Sequence, residues 1–174
     1  MTLIRREALA VSPWRNGAGR KADIATGPGW LIGFAFLDAC APFSDYAGHD
    51  RTITLVQGPG FTLSGPDATL DITGLGQPTP FDGGWPLACR IHGGPCIVVN
   101  AMTERTRHRH SVTRFHGGPI DPGGATADVL VVLQGELRLD ERTASVQDAI
   151  ILAGPGRGAV SPDGMVVRLT INPA

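Results

Sequence analysis

Apolar residues in this chain come in short runs, and where a rhythm can be read its period is two. Arg51-Thr52-Ile53-Thr54-Leu55 alternates polar and apolar side chains. A strand with one buried face does this, because successive side chains of an extended chain point to opposite sides. In the first part of the chain, Trp30 to Phe36, Arg51 to Val56, Phe61 to Leu63, Thr69 to Ile72, Ala88 to Ile91 and Cys96 to Asn100 read as strands. Later come Ser111 to Phe115, Val129 to Leu133, Glu136 to Leu139, Thr143 to Val146, Ala149 to Leu152 and Met165 to Ile171. The three-and-four spacing of an amphipathic helix is nearly absent. The 24 glycines and 14 prolines are spread over the whole chain and punctuate these runs with turns. The pattern predicts an all-β sandwich or barrel.

A repeat divides the chain. Ile53-Thr54-Leu55-Val56-Gln57-Gly58 precedes Phe61-Thr62-Leu63, and Leu130-Val131-Val132-Leu133-Gln134-Gly135 precedes Leu137-Arg138-Leu139. Each reads as a hairpin: strand, tight glycine turn, strand. The two Gln-Gly pairs are 77 positions apart (134 minus 57), close to half of 174 residues. After the second pair come Gln147 to Leu152 and a corner at Gly154-Pro155-Gly156. Hairpin, polar turn, apolar strand and Pro-Gly corner look like half of a cupin barrel. The expected architecture is therefore a bicupin, two fused cupin-like β-sandwich or barrel halves spanning roughly 1–105 and 106–174 of one compact chain.

Charge narrows the partners. The formal net charge is -1 and no basic stripe is present, so nucleic acid is not an expected partner. The densest basic run, Arg105 to His110, reads as a solvated strand. No apolar run has the length of a membrane span. Arg5, Arg6 and Glu7 bring charge in early with no apolar stretch after them, unlike a signal peptide. Cys40, Cys89 and Cys96 are an odd count. That predicts free thiols in a reducing compartment, the cytoplasm, with Cys89 and Cys96 buried among apolar neighbours.

Candidate chemistry is sparse. His108 and His110, two apart on a strand, face one side and have chelating spacing. No carboxylate follows within ten residues, and Arg157 stands where a later histidine of a cupin metal site would sit. In the first half His49 and Arg51 precede the Gln-Gly turn, again with one histidine. Two imidazoles make an incomplete site, so no metal and no cofactor is expected. A metal-dependent cupin enzyme using His108 and His110 is the alternative. There is no Gly-x-Ser-x-Gly, and no cysteine sits in an electropositive setting. Gly17-Ala18-Gly19 lacks the remaining signature of a phosphate or dinucleotide loop. Asp23, Asp45, Asp50 and Asp82 show no acid–base spacing. No catalytic residue is assigned, and the reading leans away from an enzyme.

Three segments carry a resemblance. The first is Pro13-Trp14-Arg15-Asn16-Gly17-Ala18-Gly19 with Asp23-Ile24. The second is Pro42-Phe43-Ser44-Asp45-Tyr46-Ala47-Gly48-His49-Asp50-Arg51, leading into Thr52 to Gly60. The third comprises Phe81-Asp82-Gly83, Gly94-Pro95, Asn100-Ala101-Met102 and Arg105. In this order and spacing the chain resembles the HutD/Ves family, most strongly over residues 12 to 105. The resemblance implies an RmlC-like double cupin without the cupin metal. It also implies a binding protein for a small acidic intermediate, such as formylglutamate or urocanate, that modulates histidine utilisation. Trp14, Asn16, Gly17, Gly19, Phe43, Ser44, Gly48, Arg51, Asn100, Met102 and Arg105 match the family motifs. The chain departs from the family pattern at Lys21 and Asp23 (usually Thr and Glu), at Gly84 (usually acidic) and at Val98-Val99 (usually Asp-Phe).

The expected ligand-binding set is Trp14, Asn16, Gly17, Gly19, Ser44, Arg51, Asn100, Met102 and Arg105. Arg51 is its pivot. On the surface it would pair with Asp50 or Asp45, whereas pointing inward it would need an anion, since a buried unpaired guanidinium is costly. The expected partner is a small carboxylate metabolite, with a homodimer by analogy to other cupins. An interaction module with a vestigial pocket is a further alternative, motivated by Gly84 and Val98.

Overall fold

The computed structural model describes residues 1–120, 125–153 and 158–174. The expected corner at Gly154-Pro155-Gly156 and the position of Arg157 lie outside the described residues. In chain order the strands are β1 (Thr2–Ile4), β2 (Ser12–Pro13), β3 (Arg20–Gly27), β4 (Trp30–Leu37), β5 (Ala41–Pro42), β6 (His49–Gln57), β7 (Phe61–Ser64), β8 (Thr69–Ile72) and β9 (Pro78–Asp82). They continue with β10 (Ala88–Ile91), β11 (Cys96–Glu104), β12 (His108–Ile120), β13 (Ala127–Gln134), β14 (Leu137–Leu139), β15 (Arg142–Ala144), β16 (Ala149–Ile151) and β17 (Gly158–Pro173). One 3₁₀ turn, Arg6–Ala8, is the sole helical element among the described residues.

The strands form three sheets. A six-stranded sheet, β2-β3-β4-β11-β6-β9, is the middle layer. One of its faces packs on the four-stranded sheet β5-β10-β7-β8, through a core that includes Ile53, Leu55, Phe61, Leu63, Phe81 and Val98. Its other face packs on a seven-stranded sheet through Phe34, Phe36, Val99, Val129, Val131 and Leu169. That larger sheet runs β1-β16-β13-β17-β14-β15, with β12 also paired to β17. Its far side has a core of its own, built from Leu130, Leu137, Leu139, Ile150 and Val160. The 16-residue β17 pairs with β14 near Gly158 and with β13 further along, so the sheet's own strands supply more than one wall of that core.

The middle-layer position sets the burial of β6. Alternation predicted a half-buried strand. Instead Thr52 and Thr54 are buried as fully as their neighbours, because both faces of this sheet are covered. Arg51, Ile53 and Leu55 face the four-stranded sheet, while Val56 joins the opposite core. The repeated Gln-Gly pairs are not hairpins either. β6 lies in the middle sheet and β7 in the four-stranded one, while β13 and β14 both pair with β17 and not with each other. Each glycine turns the chain from one pairing to the next. Gly58 does so at φ +108°, where a Cβ would lie 2.5 Å from the Pro95 carbonyl.

β3 and β9 lack the apolar runs from which strands are predicted. β3 opens on charged residues, and β9 carries Pro78 and Pro80, which suit an edge strand paired on one side only. β1 pairs with β16, so the first residues join the seven-stranded sheet.

The cysteines are all free; Cys40 is exposed while Cys89 and Cys96 are buried. Burial pushes the Cys89 thiol up to about 12 and also raises that of Cys96. Since the thiolate is the reactive form, iodoacetamide on the native protein should give one adduct, at Cys40. Intact-mass and peptide analysis would check this, and labelling of Cys89 or Cys96 at a similar rate would contradict the burial.

Candidate functional site: a buried arginine in an aromatic cleft

Two loops and two strands of the middle sheet build one cleft. The loop after β2 is closed on itself by hydrogen bonds from the Trp14 N–H to Gly19 O (2.8 Å) and from the Gly17 N–H to Trp14 O (2.9 Å). Asn16 stitches it further. Its Oδ1 accepts from the Ala18 N–H at 3.0 Å, and its Nδ2 donates to the Pro42 carbonyl at 3.0 Å. Gly19 lets the Trp14 indole lie against the backbone, because a Cβ there would come within 2.5 Å of the ring. The indole N–H donates to Arg20 O at 2.7 Å, and the ring meets Phe43 edge-on at 5.5 Å.

The second loop, which follows β5, brings Phe43, Ser44 and Tyr46 to the same cleft. The Phe43 N–H donates to Leu87 O and the Tyr46 N–H to Gly83 O, at 2.8 and 2.9 Å. Between these loops and the strands lies a partly open cleft. Trp14, Leu31, Phe43 and Met102 make it mainly apolar, while Ser44, Arg51 and Asn100 supply its polar atoms.

Arg51 dominates the chemistry. It is 7% exposed and projects from β6 toward the four-stranded sheet side. Its Nη1 donates to Ser44 O at 3.4 Å and its Nη2 to Asn100 Oδ1 at 3.3 Å, both long contacts. Its Nε is buried and has no partner, and neither has the buried Ser44 Oγ. The guanidinium carbon stands 4.9, 5.3 and 5.4 Å from the ring centres of Phe81, Phe43 and Tyr46. Aromatic faces attract a cation but accept no strong hydrogen bond. Arg51 forms no ion pair with any described carboxylate. Burial lowers its pKa from the ordinary arginine value to about 10, against a smaller opposing pull from Tyr46.

The expected residues separate on this geometry. Trp14, Ser44, Arg51, Asn100 and Met102 line the cleft. Asn16, Gly17 and Gly19 shape and anchor the loop that holds Trp14. Arg105 is placed elsewhere, in an exposed clasp with Asp50 and Asp82, each at 2.6 Å, and donating to His49 O at 3.0 Å. The Gly84 N–H and Arg105 hold the Asp82 carboxyl below its usual range. Three residues absent from the expected set, Phe43, Tyr46 and Phe81, form the aromatic surround of Arg51. The signal was present in the Pro-Phe-Ser-Asp-Tyr and Phe-Asp-Gly motifs, but aromatics there read equally as packing.

Lys21 also lines the cleft, with its Nζ held by both oxygens of Asp23 at 2.7 and 2.8 Å. Gly84 does not line it. Val98 is fully buried in the core that Ile53 and Phe81 share.

The basic run after Arg105 differs from the expected solvated strand at His110. His110 is not a solvated strand residue but a tie between layers. Its Nε2 is hydrogen-bonded to Thr52 Oγ1 at 2.9 Å and its Nδ1 to Thr103 Oγ1 at 2.7 Å. Both ring nitrogens are therefore already engaged. Among the described residues, no group of three or more His, Cys, Asp or Glu side chains is placed to hold a metal. Burial lowers the His110 pKa, with Asp50 opposing. The unfolded chain thus takes up this proton first, and stability is lost as pH falls from about 6.5 toward the lower folded value. In denaturant titrations, the native protein should lose stability relative to His110→Gln below pH 6.5. A pH-independent difference would contradict that.

The HutD family model matches residues 6–166. This chain belongs to the HutD family. The HutD relatives include Protein Ves of Cronobacter sakazakii, 30% identical over 140 residues that cover 77% of each chain. An uncharacterised 21.2 kDa protein from the hutC 3′ region of Pseudomonas putida is 29% identical over 133 residues. That match covers 67% of this chain and 65% of the relative, just under two thirds of its length. Among solved structures, HutD from Pseudomonas fluorescens (formate condition) superposes with a TM-score of 0.85 at 22% identity, covering 99% of this chain and 98% of that one. A cupin 2 conserved barrel domain protein from Leptotrichia buccalis gives 0.62 at 13% identity, covering 95% and 89%. The cupin-like β fold of this HutD chain is thereby established. No helix among its described residues is long and apolar enough to cross a membrane.

Proposed function

We propose that this protein is a non-enzymatic binding protein for a small carboxylate metabolite, held in the cleft by Arg51, and that it modulates histidine utilisation. The observation that carries the reading is a buried guanidinium with no carboxylate partner, set beside a second unpartnered buried atom, Ser44 Oγ. A ligand carboxylate would give Arg51 the bidentate, charge-assisted bonds it lacks and would accept from the Ser44 hydroxyl. The apolar walls would hold the ligand's body and strengthen those bonds by excluding water. The relative from the hutC 3′ region supports the pathway assignment, and the formate condition of the Pseudomonas fluorescens HutD structure makes formate a natural first probe.

Thermal-shift and calorimetric titration with formate, urocanate and formylglutamate test the reading. At least one should raise the melting temperature at saturation, and Arg51→Met should abolish the rise. No shift with any of them, or shifts unaffected by that substitution, would refute it.

A further inference from the structure

Two guanidinium groups lie near Tyr46. Arg51 lies 5.4 Å from the ring centre and Arg15 lies 6.0 Å from it. Tyr46 and Ser44 line both the cleft and a second, more open groove at its mouth. The two spaces therefore adjoin. Arg15, Asp45 and His49 supply the titratable side chains of that outer groove besides Tyr46. Neither Arg15 nor Asp45 forms an ion pair with any described residue. Asp45 Oδ1 accepts the Ala47 N–H at 2.9 Å, and His49 Nδ1 lies 3.2 Å from the Ala47 carbonyl. The mouth thus presents one positive and one negative side chain that form no ion pair with each other.

We infer that the ligand is an acidic α-amino acid. Its side-chain carboxylate enters the cleft to Arg51, and its α-carboxylate and α-ammonium stay at the mouth, facing Arg15 and Asp45 respectively. This rests on the carboxylate-binding reading above and makes it specific. A simple dicarboxylate would satisfy both arginines but would bring its second charge toward Asp45 with nothing to offset the repulsion. An amine without an α-carboxylate would leave Arg15 unused. A zwitterionic head satisfies both, and the shared ring places the two guanidinium groups within reach of one small molecule. Lys21 does not compete for the role, since Asp23 already neutralises it. Arg15 and Asp45 are therefore specificity-determining residues, while Arg51 provides the common anchor.

Calorimetry at pH 7 with L-glutamate, glutarate, 4-aminobutyrate and N-formylglutamate separates the terms. Glutamate should bind roughly tenfold more tightly than each of the others, which lack the ammonium, the α-carboxylate or the free amine. Asp45→Asn should erase the preference for glutamate over glutarate. Arg15→Gln should erase the preference over 4-aminobutyrate. Glutarate or N-formylglutamate binding as tightly as glutamate, or either preference surviving its substitution, overturns the inference. Binding of formate or urocanate with none for glutamate overturns it too but leaves the carboxylate reading standing. Silence from every carboxylate removes both.

Discussion

Arg51→Met should make the unliganded protein more stable while removing its response to carboxylates. The side chain is buried, has no described carboxylate partner, and makes two hydrogen bonds of 3.3 and 3.4 Å. Removing its charge from an aromatic surround trades a desolvation cost for apolar packing. Replacing a whole buried ion pair by apolar residues is often neutral or stabilising by about 1–4 kcal/mol, and a buried charge without a counter-ion lacks even the pair's Coulomb attraction. For a chain of this size the melting temperature would rise by roughly 2–4 °C per kcal/mol. The pH dependence has a definite sign. With the folded pKa lowered to about 10, both states are charged below pH 10 and the folded state carries the whole penalty. Relief comes only as pH rises through that value, so the effect should be constant across neutral pH. In the unsubstituted protein a ligand at a hundredfold its Kd adds about 2.7 kcal/mol. The variant should show none of that gain. A less stable variant would mean that the three aromatic rings already compensate the charge, so that the cleft does not depend on an anion.

The second large effect lies on the other side of the middle sheet. Asp128 of β13 is 1% exposed and receives hydrogen bonds from Nε and Nη2 of Arg168 on β17, the first at 2.9 Å. Asp128→Ala removes a buried carboxylate that accepts two hydrogen bonds from the Arg168 guanidinium. Loss of one partner of such a pair typically costs about 3–5 kcal/mol. The urea midpoint should fall accordingly with an unchanged slope, since the surface exposed on unfolding is the same. Carboxylate binding should survive in the folded fraction, because the cleft belongs to the opposite face of the middle sheet. Asp128→Leu with Arg168→Met should recover most of the loss. A cost below about 1 kcal/mol for Asp128→Ala would place the pair in the class of screened surface bridges.

These two arginines show how far a sequence can be read here. Both sit in β-forming runs, and nothing local distinguishes them. Arg168 meets a carboxylate 40 residues away, whereas Arg51 meets three rings and an amide. The alternation around Arg51 placed it on one face of a strand, and the family motifs put it near Trp14, Ser44 and Asn100. Its lack of a carboxylate depended on which residues from distant segments surround it. Arg105 illustrates the converse. It shares a motif with Asn100, yet Asp50 and Asp82 hold it outside the cleft. His110 was misread because the threonines that bury it belong to another sheet.

By itself the sequence determined the β class, the turn-rich punctuation, the buried pair of cysteines and the family. These follow from local rules: period-two alternation, the conformational freedom of glycine, and short motifs whose residues interact within a few positions. The tertiary structure alone decided that the middle sheet is covered on both faces, that the Gln-Gly repeats turn the chain from one pairing to another, and that Arg51 lies inward without a counter-charge. The reason is physical. Burial and charge pairing are set by what packs against a residue from distant parts of the chain, and in a layered β protein almost every such neighbour comes from another strand.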